Sequence, residues 1–123
     1  MFEIKVIGHF DAAHYIRGYQ GKCESLHGHR YQVAVKLKAA GLNEIGIAYD
    51  FTALKKQLEG VLGRFDHTCL NDVPPFDRIN PSSENIALTI YNELKAIPED
   101  ASVSLVSVEV WESPDSSATY IPE

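Results

Sequence analysis

The chain has little cysteine: Cys23 and Cys69 are the only two among its 123 residues. A disulfide framework needs more cysteines than this and belongs mostly to small secreted proteins. We therefore expect both side chains to be thiols in a reducing compartment. Cys69 lies among apolar neighbours and is expected to be a small buried residue. Cys23 follows a Gly-Lys pair in a predicted loop and is the better candidate for a reactive thiol.

Long apolar runs are also missing. No stretch approaches the roughly 20 apolar residues of a membrane-spanning helix, and the first residues lack the apolar segment of a signal peptide. Positive charge is scarce, with 11 Lys and Arg against 17 Asp and Glu and a net charge of -6. This balance argues against a general binder of nucleic acid or of anionic membranes. We expect a cytoplasmic protein that binds neither.

Internal repeats, low-complexity tracts and linkers are absent from the sequence. Its 123 residues, 45% of them hydrophobic, suffice for one core and are too few for two ordinary domains. We therefore predict a single domain over residues 1–123.

Apolar and polar residues alternate in three segments, which is the pattern of a half-buried strand. The residues that share the apolar face are Ile4, Val6, Phe10, Ala12 and His14 in the first segment, Tyr31, Val33, Val35 and Leu37 in the second, and Val106, Val108, Val110 and Glu112 in the last. A short apolar run over 45–49 is expected to form a further short strand.

Two other segments repeat their apolar residues at helical spacing. The first follows Asp50, the expected N-cap, and should end near Gly63. The second follows Ser82 and Ser83 and should end before Pro98. The elements follow the order of two strands, the short strand, two helices and two further strands, which predicts an α+β protein with an antiparallel four-stranded sheet and two helices packed on one face.

Three histidines fall at the ends of the first two predicted strands. His14 ends the apolar face of the first, and His27 and His29 share one face of the second, because side chains in a strand repeat every second residue. If the two strands pair antiparallel, the three imidazoles converge. Three neutral histidines with no fourth protein ligand describe a catalytic zinc site with an open position. The same nitrogens suit copper or nickel, and a lone histidine is more often an ordinary core or surface residue.

Glu112 ends the apolar face of the last strand, and two roles for it are open. Its carboxylate can meet a lysine or a helix N-terminus, or it can accept two hydrogen bonds from an amidine-like edge of a ligand. Arg17, Lys22 and Arg30 add positive charge around the predicted metal site. That charge suits an anionic or phosphorylated ligand, unless these residues form only a solvated face.

Four motifs occur in a fixed order along the chain. They are Phe10-Asp-Ala-Ala-His14, Cys23-x-x-x-His27-Gly-His29, Asp66-His67-x-x-Leu70-Asn71 and Trp111-Glu112-Ser113. In combination they resemble the 6-pyruvoyltetrahydropterin synthase family over nearly the whole chain. The three-residue gap before His27 is similar to the bacterial branch, 6-carboxy-5,6,7,8-tetrahydropterin synthase, which acts in the queuosine and 7-deazaguanine pathway.

The resemblance implies a role for each matching residue. It implies Zn²⁺ held by His14, His27 and His29, Cys23 as the proton-transferring thiol, Asp66 and His67 as its relay partners, and Glu112 as the anchor of the pterin. It also implies the tunnelling fold, in which trimers close a β-barrel and pair into a homohexamer with active sites between protomers.

The activity that the resemblance implies is a lyase reaction on 7,8-dihydroneopterin 3′-triphosphate. The expected products are 6-carboxy-5,6,7,8-tetrahydropterin, acetaldehyde and triphosphate. Two alternatives stay open on the sequence: the animal-type reaction, which gives 6-pyruvoyltetrahydropterin from the same residues, and a non-catalytic zinc- or pterin-binding module in which the Cys23 thiol is idle.

Overall fold

The computed structural model describes residues 1–21, 25–98 and 100–123, which form one sheet with two helices. The strands are β1 (Phe2–His14), β2 (His27–Ala39), β3 (Thr68–Cys69), β4 (Val103–Ser113) and β5 (Ser116–Tyr120), and the helices are α1 (Phe51–Leu62) and α2 (Ser83–Leu94). The sheet order is β3-β1-β2-β4-β5. All neighbours are antiparallel except β1 and β3.

The α+β class and the two helices are confirmed, and the strand count needs one correction. The sheet has five strands rather than four, because the two residues of β3 add to the edge of β1. Two residues are too few to produce an alternating pattern. The predicted short strand over 45–49 is wrong, since that segment forms turns and bends.

The long pairing of β1 with β2 forms the centre of the molecule. It runs without a register shift from Phe2 opposite Ala39 to His14 opposite His27. The apolar residues predicted to share a face are buried on it, with Tyr31 and Val33 0% exposed. Phe10 stacks on Tyr31 with ring centroids 4.6 Å apart. This face carries the core and continues directly into the histidines.

The helices begin and end where short local signals place them. The Asp50 carboxylate accepts a hydrogen bond from the Thr52 backbone N–H at 2.8 Å, which caps α1. The Ser82 hydroxyl does the same for α2 by accepting from the Asn85 N–H at 3.1 Å. No helix in the described part of the chain is long and apolar enough to cross a membrane.

A bulge in β4 determines which side chains at the C-terminal end of this strand face the core. The pairing with β2 shifts between Lys36 and Leu37, and the buried parity of β4 changes from Val103 and Leu105 to Val108 and Val110. Because a bulge adds one residue to one strand, it turns the following side chains over. Glu112 therefore lies on the core side of the sheet.

The segment after β1 is held by side-chain amides rather than by a strand. Asn71 accepts from the Tyr15 N–H and donates to the Tyr15 carbonyl, both at 3.0 Å. Asn80 makes the same two bonds with the backbone of Arg17. The Arg17 guanidinium donates to the carbonyls of Asn71, Phe76 and Ile79. The Arg17 guanidinium thus holds this loop, and its contact with an anionic ligand stays a prediction.

Candidate metal centre and active site

The three histidines converge because of the register between β1 and β2. His14 lies opposite His27, and Ala12 lies opposite His29, so all three rings project from one face. Their centroids are 4.7 to 5.0 Å apart. One nitrogen of each ring lies within 4.8 Å of the others, so the group could hold a metal ion.

Backbone carbonyls lie against the far nitrogens of two of these rings. The His14 Nδ1 is 2.8 Å from the Pro81 carbonyl oxygen, and the His27 Nδ1 is 2.6 Å from that of Ser25. A carbonyl oxygen only accepts, so a hydrogen on each Nδ1 satisfies it and leaves Nε2 with a free lone pair. Metal-binding histidines in proteins are oriented by this kind of second contact.

The near nitrogens fit a divalent metal. The Nε2 atoms of His14 and His27 are 3.1 Å apart, close to the about 3.3 Å that separates two nitrogens bonded to a tetrahedral zinc ion. The Nε2 of His29 is buried and has no hydrogen-bond partner among the described residues. A buried polar atom without a partner is costly, and coordination to a metal would satisfy it.

Burial favours the neutral, metal-binding form of two of these rings. Desolvation is the largest effect and lowers the pKa of His14, the Pro81 carbonyl opposes it, His27 and His29 lower it further, and Glu112 opposes it least. Desolvation also lowers the pKa of His29, although the Glu112 carboxylate opposes it. The pKa values of both groups therefore lie below the ordinary 6.5.

Glu112 stands at the edge of this group. Its Oε1 is 3.8 Å from the His14 Nε2 and 3.9 Å from the His29 Nε2, beyond hydrogen-bond distance. Its side chain is 32% exposed. Together with His14, residues 82–84 at the start of α2 and residues 116–118 of β5, it lines a cavity of about 380 Å³. The Glu112 carboxylate and the His14 imidazole thus face one cavity large enough for a small ligand.

Asp66 and His67 form a second group with Asp11. The Asp66 Oδ2 lies 2.9 Å from the His67 Nδ1, and its Oδ1 accepts from the Asp11 backbone N–H at 2.9 Å. The His67 N–H donates to the Asp11 carbonyl at 2.6 Å, which holds His67 at a φ of 59°. The Asp11 carboxylate also pairs with Arg30 at 3.2 Å. The Asp11 side chain has the parity opposite to His14, so this group lies away from the three histidines.

The seven site residues predicted from the sequence thus fall into separate places. The three histidines lie together with Glu112 at their edge, whereas Asp66 and His67 lie with Asp11 at the edge of β1. Cys23 and Lys22 lie outside the described residues. The sequence reasoning treated Tyr31 only as an apolar-face residue, although its hydroxyl is 3.0 Å from the His14 Nδ1. The carbonyls of Ser25 and Pro81 had no sequence signal, because every residue carries one.

Residues 3–123 match the family model of 6-pyruvoyl tetrahydropterin synthase. The chain belongs to this family. It is 36% identical over 129 residues to the 6-carboxy-5,6,7,8-tetrahydropterin synthase of Bacillus subtilis (strain 168), covering 99% of this chain and 86% of the relative. The enzyme of the same name from Synechocystis is 39% identical over 118 residues, covering 90% and 86%.

Solved structures agree with this assignment. The 6-pyruvoyl tetrahydropterin synthase of Caenorhabditis elegans superposes with a TM-score of 0.86 at 29% identity, covering 99% of this chain and 96% of that one. The resemblance drawn from the four motifs and the predicted fold class are therefore confirmed.

Proposed function

We propose that the protein is a zinc-dependent 6-carboxy-5,6,7,8-tetrahydropterin synthase. It would convert 7,8-dihydroneopterin 3′-triphosphate to 6-carboxy-5,6,7,8-tetrahydropterin, acetaldehyde and triphosphate, in 7-deazaguanine and queuosine biosynthesis. The names of the Bacillus subtilis and Synechocystis relatives support this reaction. The observation that carries it is the convergence of three imidazoles with the Glu112 carboxylate at their edge, where His14 and Glu112 line one cavity.

His14, His27 and His29 would hold the metal. Zinc suits three neutral nitrogen ligands that leave one position open, and when bound it supplies Lewis-acid chemistry that acidifies a substrate hydroxyl and polarises a carbonyl. The buried Nε2 of His29, which has no hydrogen-bond partner within residues 1–21, 25–98 and 100–123, supports this assignment.

The remaining steps fall to side chains of this chain. A Cys23 thiolate would remove a carbon-bound proton from the substrate. His67, oriented by the Asp66 carboxylate at 2.9 Å, would move protons at the substrate side chain. Glu112 would accept hydrogen bonds from two N–H groups of the pterin, which selects a guanine-like ring because a mismatch leaves a buried partner unpaired.

Asp66 and His67 lie apart from the three histidines, so we propose that a neighbouring subunit completes each active site. In the homohexamer that family membership suggests, a dimer of trimers, the relay of one protomer would serve the metal site of another. Substrate would be the only other partner, with no nucleic acid or membrane.

The deciding experiment incubates the purified, zinc-loaded protein with 7,8-dihydroneopterin triphosphate and identifies the products by mass spectrometry. Acetaldehyde together with 6-carboxytetrahydropterin supports the proposal. Substrate that binds and stays unchanged contradicts it and favours a pterin-binding module. One observation favours a second reaction: a Caenorhabditis elegans relative named as a putative 6-pyruvoyl tetrahydrobiopterin synthase is 37% identical over 103 residues. Release of 6-pyruvoyltetrahydropterin would favour this second reaction.

Variants separate the thiol from the metal. Cys23→Ala should abolish turnover and keep zinc, because the thiol acts on the substrate and is not a ligand. His27→Ala should lose both, since it removes one of three ligands. Cys69→Ala is the matched control, a cysteine in β3, and should keep both. The two measurements are the zinc content of each variant, by atomic emission, and the rate of product formation. Normal turnover in Cys23→Ala would contradict the thiol mechanism.

A further inference from the structure

Asp66 and His67 lie in the chain reversal that joins α1 to β3. After α1 the chain keeps a helical turn, in which the N–H groups of Phe65 and Asp66 both donate to the Leu62 carbonyl at 3.0 Å. His67 then has a φ of 59°, the left-handed conformation that glycine usually adopts at helix ends. This conformation is strained for a residue with a side chain, so it persists only where the surrounding contacts hold it.

Two hydrogen bonds hold the reversal on the side of β1. The His67 N–H donates to the Asp11 carbonyl at 2.6 Å, and the Asp11 N–H donates to the Asp66 Oδ1 at 2.9 Å. Both come from backbone N–H groups, so their direction is fixed. They attach the reversal to one residue of β1.

A third hydrogen bond closes the reversal across the two relay residues. The Thr68 hydroxyl donates to the Phe65 carbonyl at 2.7 Å, and because a carbonyl only accepts, this direction is fixed as well. The bond spans Asp66 and His67, the two residues between its partners. A His67 backbone outside the left-handed region would turn the Thr68 side chain away from Phe65, so the bond and the strained conformation depend on each other.

Both ends of this third bond are anchored in the fold. Phe65 is 0% exposed, and its ring lies 5.8 Å from that of Phe10 and 5.5 Å from that of Phe76, measured between centroids. Thr68 is half-buried and pairs with Ala12 in the short contact of β3 with β1. The hydroxyl therefore joins two fixed points and not two mobile ones.

We infer that Thr68 is a positioning residue for the proton relay, because its hydroxyl holds His67 in the conformation that places the His67 Nδ1 2.9 Å from the Asp66 Oδ2. The inference rests on the relay role proposed above for Asp66 and His67. The His67 side chain is 78% exposed, so packing does little to orient its ring. The backbone turn, and the bonds that close it, supply that orientation.

Three variants test the role of the hydroxyl in turnover. Thr68→Val keeps the β-branched shape and removes the hydroxyl, so it should lower kcat about fivefold, the change in population that one net hydrogen bond supports. KM should stay within about twofold, because Thr68 acts on the relay turn. Thr68→Ser keeps the hydroxyl and should restore kcat to within about twofold of wild type. Thr89→Val, the same substitution at a half-buried position of α2, should change neither constant.

A second measurement follows the relay pair without turnover. The pKa of Asp66 is lowered first by the Asp11 amide and then by His67. In Thr68→Val the carbon-13 titration midpoint of the Asp66 carboxyl should rise, because His67 is less often held against it. The midpoint should stay below 3.8, because the Asp11 amide still donates. Thr68→Ser and Thr89→Val should leave it at the wild-type value.

The outcomes separate this inference from the proposed function. An unchanged Asp66 midpoint or an unchanged kcat in folded Thr68→Val overturns the role of Thr68, and so does an equal loss in Thr68→Ser. Thr68→Ala removes the same hydroxyl without adding a methyl group and takes the place of Thr68→Val if that variant does not fold. A wild type that leaves 7,8-dihydroneopterin triphosphate unchanged contradicts the proposed function, while the Asp66 titration still decides whether Thr68 positions the pair.

Discussion

At the scale of single residues, Asp66 has its charge stabilised mainly by the backbone. The Asp11 N–H donates to its Oδ1 at 2.9 Å, and His67 lies 2.9 Å from its Oδ2. The pKa of Asp66 is therefore lowered, first by the Asp11 amide, then by His67 and by the more distant Arg30. An ionised Asp66 keeps His67 oriented, which is what a relay pair requires.

Because the pKa of Asp66 is lowered, the stability of the protein should depend on pH in the acidic range. Its pKa in the folded protein lies below the ordinary 3.8, so its contribution to stability is present above about pH 4 and is lost as the pH falls through the folded-state value. The free energy of unfolding, measured in urea between pH 6 and pH 2.5, should therefore decrease less steeply with falling pH for Asp66→Asn than for wild type. Carbon-13 NMR of the Asp66 carboxyl should give a midpoint below 3.8. Identical pH slopes in the two proteins would contradict the assignment.

Residues on regular strands were predictable, and residues held by loops were not. Alternation in β1 and β2 fixes which face His14, His27 and His29 occupy, and antiparallel pairing brings them together. The neighbours of Asp66 depend on the path of a loop and on the positive φ of His67, which no local pattern signals. The contact of the Tyr31 hydroxyl with His14 depends on its distance to another strand, and an apolar-face residue gives no hint of it.

At the scale of elements, the helix caps and the long strands followed from local signals, while the bulge in β4 did not. The caps Asp50 and Ser82 act through bonds to residues two or three positions away, so their effect is visible in sequence. Alternation with Val108 and Val110 placed Glu112 on the core face correctly. The bulge buries Val103 and Leu105 in place of Val106, and because it arises from the pairing of β4 with β2, it leaves no mark on either strand alone.

Two glycines test how α1 packs on β1. A Cβ added at Gly8 would lie 2.9 Å from the Leu62 Cδ1 and 3.1 Å from the Leu58 Cδ2, so Gly8→Ala should push α1 outward. It should lower the free energy of unfolding by about 1–3 kcal/mol, as overpacking does. The measurement is urea unfolding followed by circular dichroism.

Gly60 is the matched control for the same helix. A Cβ there meets no atom within 4 Å, and the residue is exposed in the last turn of α1. Gly60→Ala should therefore raise the free energy of unfolding by about 0.5–1 kcal/mol through helix propensity alone. Equal effects of the two substitutions would contradict a close approach at Gly8.

At the scale of the whole molecule, the sheet has two edges that its own described strands leave unpaired. Within the described residues, β3 covers β1 only at Ala12 and Ala13, and β5 ends the other side of the sheet. Exposed edges invite pairing with another chain, and closing a barrel removes them. The edges therefore support the proposed trimer, in which β1 of one protomer would pair with β5 of the next.

The backbone direction along β1 supplies a variant that tests this assembly. Asp11 turns both its N–H and its carbonyl away from β2, since these bond Asp66 and His67. Peptide groups of alternate residues point the same way in an antiparallel strand, and the pairing has no register shift, so the Ile7 N–H also points outward. Proline at this position removes only that outward donor, which an edge strand tolerates.

Ile7→Pro should therefore keep the fold of each chain and lose the assembly. Light scattering should give wild type and the control Ile7→Ala a mass of six times 13.7 kDa, and Ile7→Pro a mass of 13.7 kDa with an unchanged circular dichroism spectrum. If a neighbouring subunit completes the active site, the monomeric variant should also lose turnover while keeping zinc, because the three ligands come from one chain. A hexameric Ile7→Pro would mean that this edge does not join subunits, and a monomeric wild type would contradict the hexamer.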